Sequence, residues 1–263
     1  MRRSRFVRTF AAIAFAATAA WLGACASKPA SQAGAAASGM EDEAPASRVA
    51  SPDWRDQVIY FALIDRWDDG DPSNNDQGAG VYRPESGAHY SGGDLAGLLR
   101  RLDYIQGLGA TALWITPPVR HQWWNEATQY GGYHGYWADD FSTVDPHFGT
   151  LSDYRALADA LHARGMYLVQ DIVVNHTANY FTYDAAPDPA DPARGWRAMP
   201  DRVGRVAPPQ APFHLNDARR AEDRAAGIYH WTGPITDYAD RNQELNGQMA
   251  GLDDLNTESP AVR

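Results

Sequence analysis

The chain has 263 residues, of which 44% are hydrophobic and 21% are charged, so it can bury one large core or two smaller ones and is not disordered overall. Its formal net charge of -10 argues against nucleic acid and anionic membrane surfaces as partners, because both repel an acidic surface. The same charge suits a cation such as calcium, or a neutral substrate.

The first 25 residues have the pattern of an export leader. Arginines near the start precede an apolar stretch, Phe10 to Trp21, that is too short to span a bilayer permanently. The stretch ends in Leu22-Gly23-Ala24-Cys25, which resembles the lipobox of bacterial lipoproteins. The resemblance implies export, cleavage before Cys25, and membrane contact only through a lipid on that residue. Cys25 is the only cysteine, so no internal disulfide can form; a secretory leader with a chance cysteine is the alternative.

Residues 26–50 are rich in Ala, Ser, Gly and Pro and predict a flexible tether. Strand and helix patterns alternate after it, with Asp94 and Thr150 placed to cap the two helices. The predicted strands are Val58 to Ile64, Thr111 to Thr116 and Tyr167 to His176, and the apolar helix positions are Leu95, Leu98, Leu99, Leu102 and Ile105, then Leu151, Tyr154, Leu157 and Leu161. This order predicts an α/β fold, either an open parallel sheet or a (β/α)8 barrel, with strands covered on both faces.

Polar residues end the third predicted strand. Asp171, Asn175 and His176 would lie toward the carboxyl end of a parallel strand, where α/β folds keep their chemistry. These residues are therefore the first functional candidates. The alternative is that Asn175 and His176 only open a turn.

A loop dense in side-chain oxygens follows the first strand, from Asp65 to Asp76. Calcium takes six to eight oxygen ligands at roughly 2.3 to 2.6 Å, and such a loop can supply several of them. An EF-hand is excluded because, counted from Asp69, its glycine position holds Asn74 and its closing glutamate position holds Gly80. A solvated acidic turn is the alternative.

An aromatic loop follows the second strand. Exposed aromatic rings bind the apolar faces of sugars, whereas rings packed onto the fold would serve only stability. The rings of this loop belong to Trp123, Trp124, Tyr130, Tyr133, His134, Tyr136 and Trp137. After the third strand, a long connection without strong periodicity predicts a small inserted domain or a lid, with a polar helix over Asn216 to Gly227.

Four motifs together resemble the α-amylase family of glycoside hydrolases, in particular its cyclodextrin glucanotransferase and amylase branch. They cover residues 55–263 in the family's order and read Asp65 to Asn75 with Gly92-Gly93-Asp94, Tyr133-His134-Gly135-Tyr136-Trp137, Asp171 to His176, and Gly251 to Asn256. The resemblance implies the first three strands of a (β/α)8 TIM barrel with an inserted domain B after strand three. The implied division is a signal peptide at 1–25, a tether at 26–50, barrel at 51–176, domain B at 177–258 and a return to the barrel at 259–263.

The resemblance also implies roles for single residues. His134 and His176 would bond to hydroxyls of a glucose unit of an α-glucan, Tyr136 would stack on its face, Trp137 would support that wall, and Asp171 would brace the loop. A first calcium ion would be held by Asp69, Asp71, Asn74, Asn75, Asp94 and the carbonyl of Gly92, and a second by Asn175 and Asp254.

Members of this family cleave glycosides with retention, using two carboxylates about 5 to 5.5 Å apart. The family's Gly-Phe-Arg-x-Asp motif, which carries the nucleophile, does not occur in this sequence. We therefore expect the chain as given to be inactive, as the front part of an exported, calcium-dependent enzyme that is monomeric at full length. A family transglycosylase and a surface glucan-binding lipoprotein without catalysis are the alternatives.

Overall fold

The computed structural model describes residues 50–263. The leader, Cys25 and nearly all of the tether lie outside the described residues. Within residues 50–263, no helix combines the length and the apolar character needed to cross a membrane.

The described residues contain short strands and five α-helices. In chain order they are β1 (Ile59–Ala62), α1 (Leu95–Arg100), α2 (Leu102–Gly107), β2 (Ala112–Ile115), β3 (Val119–His121), β4 (Trp124–Asn125), β5 (Tyr130–Gly131), β6 (Ala138–Val144), α3 (Leu151–Ala163), β7 (Tyr167–Gln170), β8 (Phe181–Tyr183), β9 (Trp196–Ala198), α4 (Ala221–Ala226) and α5 (Arg241–Asn246).

The central sheet contains the three predicted strands. They lie in the order β1-β2-β7 and all pair in parallel, with Tyr60 opposite Leu113 and Leu113 opposite Leu168. Parallel neighbours require crossover connections, which α1, α2 and α3 provide. The sheet therefore brings the ends of all three strands to one edge, where the loops that follow them meet.

One face of this sheet packs against the helices. Leu98, Leu102, Leu113, Leu157 and Leu161 are completely buried there. The helix α3 begins as predicted, because the Thr150 hydroxyl and the side chain of Asp153 form a reciprocal capping box.

The opposite face is open in residues 50–263, where three strands of the predicted eight-stranded barrel are present, so the cover on both faces that a complete barrel would give is not seen there. Phe61 and Trp114 are 47% and 39% exposed, and Ile172 and Val174 beyond β7 are 63% and 64% exposed. The described strands form a three-stranded sheet and close no barrel, so nothing in residues 50–263 covers these side chains.

Two predicted elements end early for physical reasons. The third strand stops at Gln170, because its partner β2 is followed by Pro117 and Pro118, which have no N–H to continue the ladder. The first helix breaks at Arg101, whose φ of -104° and ψ of 10° depart from helical values; its side chain and that of Arg100 both donate to the carboxylate of Asp68.

The stretch after the third strand has a core of its own. Phe181, Phe213, Ile228 and Tyr229 pack together away from the sheet. The polar helix predicted over Asn216 to Gly227 is shorter than expected; it covers only Ala221–Ala226 and ends at Gly227 in a left-handed conformation. The proposed domain boundaries stay predictions.

Candidate functional site

Three of the predicted sugar-binding residues lie together at the edge of the sheet. Tyr136 precedes β6 and donates its hydroxyl to Oδ2 of Asp171, just after β7, at 2.8 Å. Nε2 of the buried His176 lies 3.2 Å from the carbonyl oxygen of Tyr136. Burial and the Asp171 carboxylate raise the pKa of Tyr136 to about 12, so its hydroxyl stays a neutral donor.

His134 and Trp137 complete an aromatic wall with Tyr136. The His134 ring stacks on Tyr136 at 5.8 Å and meets the edge of Trp137 at 4.7 Å. The backbone N–H of Tyr136 donates to Nδ1 of His134 at 3.0 Å, which leaves the proton of the neutral ring on Nε2. Burial lowers the pKa of His134 to about 3, so the ring is uncharged at neutral pH and can donate a hydrogen bond from Nε2.

A close backbone approach sets the course of this wall. Gly135 has a φ of 81°, and a Cβ there would overlap the carbonyl oxygen of Pro117. Because only glycine fits such a position, the loop is pressed onto the segment that follows β2. Gly135 thereby holds the rings of His134, Tyr136 and Trp137 against the end of the sheet.

The oxygen-rich loop after β1 is organised by Asp94. This carboxylate is completely buried and accepts from the backbone N–H groups of Gly70 at 3.0 Å, Asp71 at 2.8 Å and Gly97 at 2.6 Å. Its Oδ2 also accepts from the amide of Asn74 at 3.1 Å. Asp94, the last residue of the predicted calcium ligands, thus contacts the segment from Gly70 to Asn74 that contains the earlier ones.

Three buried oxygens of this loop have no hydrogen-bond partner. They are Oδ1 of Asp69, Oδ1 of Asn74 and Oδ1 of Asn75. The amide of Asn75 donates to Asp69 at 2.7 Å and lies so close to Gly92 that a Cβ there would clash with it. Buried oxygens without partners are costly, and carboxylate and amide oxygens are the ligands that calcium prefers, so these residues fit the ion.

Asp71 does not join this group. Its carboxylate is exposed and accepts instead from the N–H of Ser73 at 3.0 Å and the hydroxyl of Ser73 at 2.6 Å. The three unpartnered oxygens come from one carboxylate and two amides. Within residues 50–263, no cluster of three or more His, Cys, Asp or Glu side chains is arranged to hold a metal.

Asn175 and Asp254, the residues predicted to bind a second calcium ion, contact each other directly. The amide of Asn175 donates to Oδ1 of Asp254 at 3.3 Å, and the N–H of Leu255 donates to the Asn175 carbonyl at 3.0 Å. Nδ1 of His230 lies 2.7 Å from Oδ2 of Asp254. His230 was not among the candidates, because nothing in its surroundings along the chain points to Asp254.

Comparisons with known proteins identify the chain. The model of the alpha-amylase catalytic domain matches residues 61–263. The chain belongs to the alpha-amylase family. Over 214 residues it is 36% identical to a beta/alpha-amylase of Paenibacillus polymyxa, a match that covers 80% of this chain and 15% of that protein. It is 42% identical over 134 residues to a periplasmic alpha-amylase of Escherichia coli, covering 48% of this chain and 20% of the relative.

The structural comparison agrees with the family. A solved cyclomaltodextrin glucanotransferase with a three-domain ABC distribution superposes with a TM-score of 0.62 at 30% identity, over 78% of this chain and 40% of that one. The fold of this alpha-amylase family chain is therefore an incomplete TIM barrel, with three of its parallel strands and no closure in the described part. The chain spans less than half the length of each of these proteins.

Two charged residues near the wall were missed by reasoning from the sequence. Asp139, in β6, and Arg205, in the stretch after β9, form a buried ion pair at 2.9 Å. The acidic Asp139-Asp140 pair beside the aromatic motif was the one available signal, but its partner lies too far along the chain to be recognised.

Proposed function

We propose that this chain is the front part of an exported, calcium-dependent alpha-amylase-type enzyme, and that its own share of the work is to hold a glucose unit of an α-1,4-glucan. The observation that carries the proposal is the wall formed by His134, Tyr136 and Trp137, braced by Asp171. Sugars present apolar ring faces and hydroxyl edges, and this wall offers a ring to stack and a neutral imidazole N–H to donate.

Each wall residue has a distinct task in this proposal. The ring of Tyr136 covers the face of the glucose unit, with its orientation set by the hydroxyl bond to Asp171. Nε2 of His134 donates to a sugar hydroxyl. His176 supports the wall from behind through its contact with the carbonyl of Tyr136, and turns to a sugar hydroxyl only if that contact opens.

Calcium would be held by Asp69, Asn74, Asn75, Asp94 and the carbonyl of Gly92. When bound, the ion supplies positive charge that stabilises the buried oxygens of the loop, and its role is structural. The carboxylates of a retaining mechanism would belong to the remainder of a longer protein. The leader and its Cys25 support export, in keeping with a relative that is named periplasmic.

Isothermal titration with maltohexaose tests this proposal. We expect binding by the wild-type chain and a rise in Kd of about tenfold or more for Tyr136→Ala, as for the loss of a central aromatic anchor. Tyr238→Ala is the matched control, since that tyrosine is 63% exposed and its loss should leave Kd unchanged.

A β-1,4-linked hexasaccharide of glucose serves as the control ligand and should not bind. Equal heats for both sugars, or equal affinity of Tyr136→Ala and wild type, would remove the basis of the proposal. A reducing-sugar assay on the same samples distinguishes binding from turnover.

A further inference from the structure

Asp139 is completely buried, whereas Asp140, the other carboxylate of β6, is not. Asp139 lies two residues after Trp137. Its Oδ2 lies 2.9 Å from Nη1 of Arg205 and accepts from the hydroxyl of Tyr180 at 2.8 Å. Its Oδ1 faces Nε of Arg120 at 3.6 Å. A buried carboxylate is tolerated only with such partners, so the position of Asp139 depends on them.

Arg205 brings these partners together. Its guanidinium also pairs with Asp201 at 2.7 Å and lies over the ring of Trp123 at 4.9 Å. Only 17% of its side chain is exposed. The Arg205 side chain thus contacts the aromatic loop at Trp123 and β6 at Asp139. It also contacts Asp201 in its own segment, the connection after the third strand, which we call the inserted stretch.

Several hydrogen bonds also join these segments, among them the bond from the N–H of Phe141 to Oε1 of Gln210 at 2.7 Å. The N–H of Ala178 donates to the carbonyl of Ala138 at 3.0 Å, and the N–H of Gln122 donates to the carbonyl of Trp137 at 2.9 Å. The side-chain amide of Gln122 donates to the carbonyl of Asn179 at 2.8 Å. Because these bonds flank the wall on both sides, a shift of the inserted stretch would move His176 relative to Tyr136.

We propose that Arg205 is a positioning residue for glucan binding, which fixes the inserted stretch against the aromatic wall by compensating the buried charge of Asp139. The inference rests on the proposed function. Without Arg205, the Asp139 carboxylate would keep only the hydroxyl of Tyr180 and Arg120 at longer range, and its buried charge would lack a close cation. Tyr136 and Trp137 precede Asp139 by only three and two residues, so their rings would lose their fixed placement.

The test compares Arg205→Met, Arg205→Lys and Arg202→Met in maltohexaose titrations, at a temperature where circular dichroism shows each variant to be folded. Arg202 is the matched control, because it lies in the same segment but pairs with Glu126 and the ring of Trp124. We expect Kd to rise about tenfold for Arg205→Met, within the usual range for coupled sites. Arg205→Lys, which restores the charge, should lie within about threefold of the wild type, and Arg202→Met within about twofold.

A second measurement does not depend on sugar. Hydrogen exchange at the amides of Ala178 and Gln122 should be faster in Arg205→Met than in the wild type or in Arg202→Met, because these amides bridge the segments that Arg205 holds. If Arg205→Met does not fold, Tyr180→Phe replaces it; this variant removes one bond to Asp139 and should raise Kd about threefold.

The outcomes separate the two proposals. A wild-type chain that does not bind maltohexaose overturns the proposed function and this inference with it. A wild type that binds, together with a folded Arg205→Met of equal affinity, overturns only the role of Arg205. Equal losses in Arg205→Met and Arg202→Met would also overturn it, since both would then report a general loosening of the inserted stretch.

Discussion

Two regions hold carboxylates away from water but stabilise them differently: the loop after β1, and the place where the inserted stretch meets β6, which we call the junction and which contains Asp139, Asp253 and Asp254. In the loop, Asp69, Asn74 and Asn75 each keep a buried oxygen without a partner. At the junction, each carboxylate has at least one oxygen paired within the protein: Asp139 has Arg205, Asp253 accepts from the N–H of Tyr180 at 2.9 Å, and Asp254 has His230. One oxygen there, Oδ1 of Asp139, has no hydrogen-bond partner but faces Arg120 at 3.6 Å.

From this difference we expect a cation to bind at the loop. Three buried loop oxygens have no partner, whereas each junction carboxylate already has a protein group beside it. The loop draws its members from neighbours in sequence, and the junction draws on residues far apart. We therefore expect the loop to respond to calcium more than the junction does.

The largest effect is expected for Asp94→Ala, even in EDTA. The buried carboxylate caps α1 and accepts four hydrogen bonds, so its loss should lower the free energy of unfolding by about 3 to 5 kcal/mol. Urea titration measures this. Asp103→Ala, which removes a carboxylate that is 88% exposed, should cost less than about 1 kcal/mol. Similar losses in both variants would show that the loop is not organised by Asp94.

Calcium should stabilise the chain through the loop. At a calcium concentration about 100 times Kd, the free energy of unfolding should rise by about 3 kcal/mol relative to EDTA. Asp69→Asn should lose most of this gain, because it removes a charge beside the unpartnered oxygens, while Asn175→Ala should retain it. The reverse pattern in urea titrations would assign the ion to the junction and invert the comparison.

Stability should depend on pH through Asp139. Burial raises its pKa to about 6, although Arg205, Tyr180 and Arg120 oppose the rise. The folded chain therefore binds a proton that the unfolded chain has released between about pH 4 and 6, so this residue makes stability fall by about 3 kcal/mol as pH rises through that window.

Asp139→Asn should remove that contribution from urea titrations carried out at several pH values in EDTA. Burial also raises the pKa of Asp65 to about 6, but this residue is present in both proteins and its effect cancels in their difference. Parallel pH profiles for the variant and the wild type would contradict the prediction.

The smallest effect is expected for His230→Ala. It removes the 2.7 Å contact with Asp254, which should cost about 1 kcal/mol in EDTA. The freed carboxylate should then make the gain on adding calcium larger than in the wild type. His214→Ala, which alters an exposed histidine, serves as the control. An unchanged calcium response would mean that His230 does not keep the junction closed to the ion.

The parts of the fold that depend on local pattern were predictable. The three strands and the Thr150 cap follow from apolar runs and from a hydroxyl placed before a helix. The break at Arg101 was not, because neither Gly nor Pro marks that position in the sequence. The end of the third strand depends on Pro117 and Pro118 in the neighbouring strand, and pairing cannot be read from one segment alone.

The same limit applies to the candidate site. Residues within one motif, such as His134, Tyr136 and Trp137, were predicted together and lie together. The side chain of Asp71 lies apart from the unpartnered oxygens of the loop because it accepts from the hydroxyl of Ser73, a local contact that the motif does not reveal. Arg205 and His230 act on partners far along the chain, and composition carries no trace of such pairs.

Gly135 has a consequence for any attempt to diversify the aromatic wall. Every other amino acid would bring a Cβ into the carbonyl oxygen of Pro117, and the left-handed backbone would add a further penalty. A randomised library at this codon should therefore return glycine alone after selection for glucan capture. The enrichment at that codon would act as an internal gauge of how stringent the selection was, against which tolerance at neighbouring codons could be ranked.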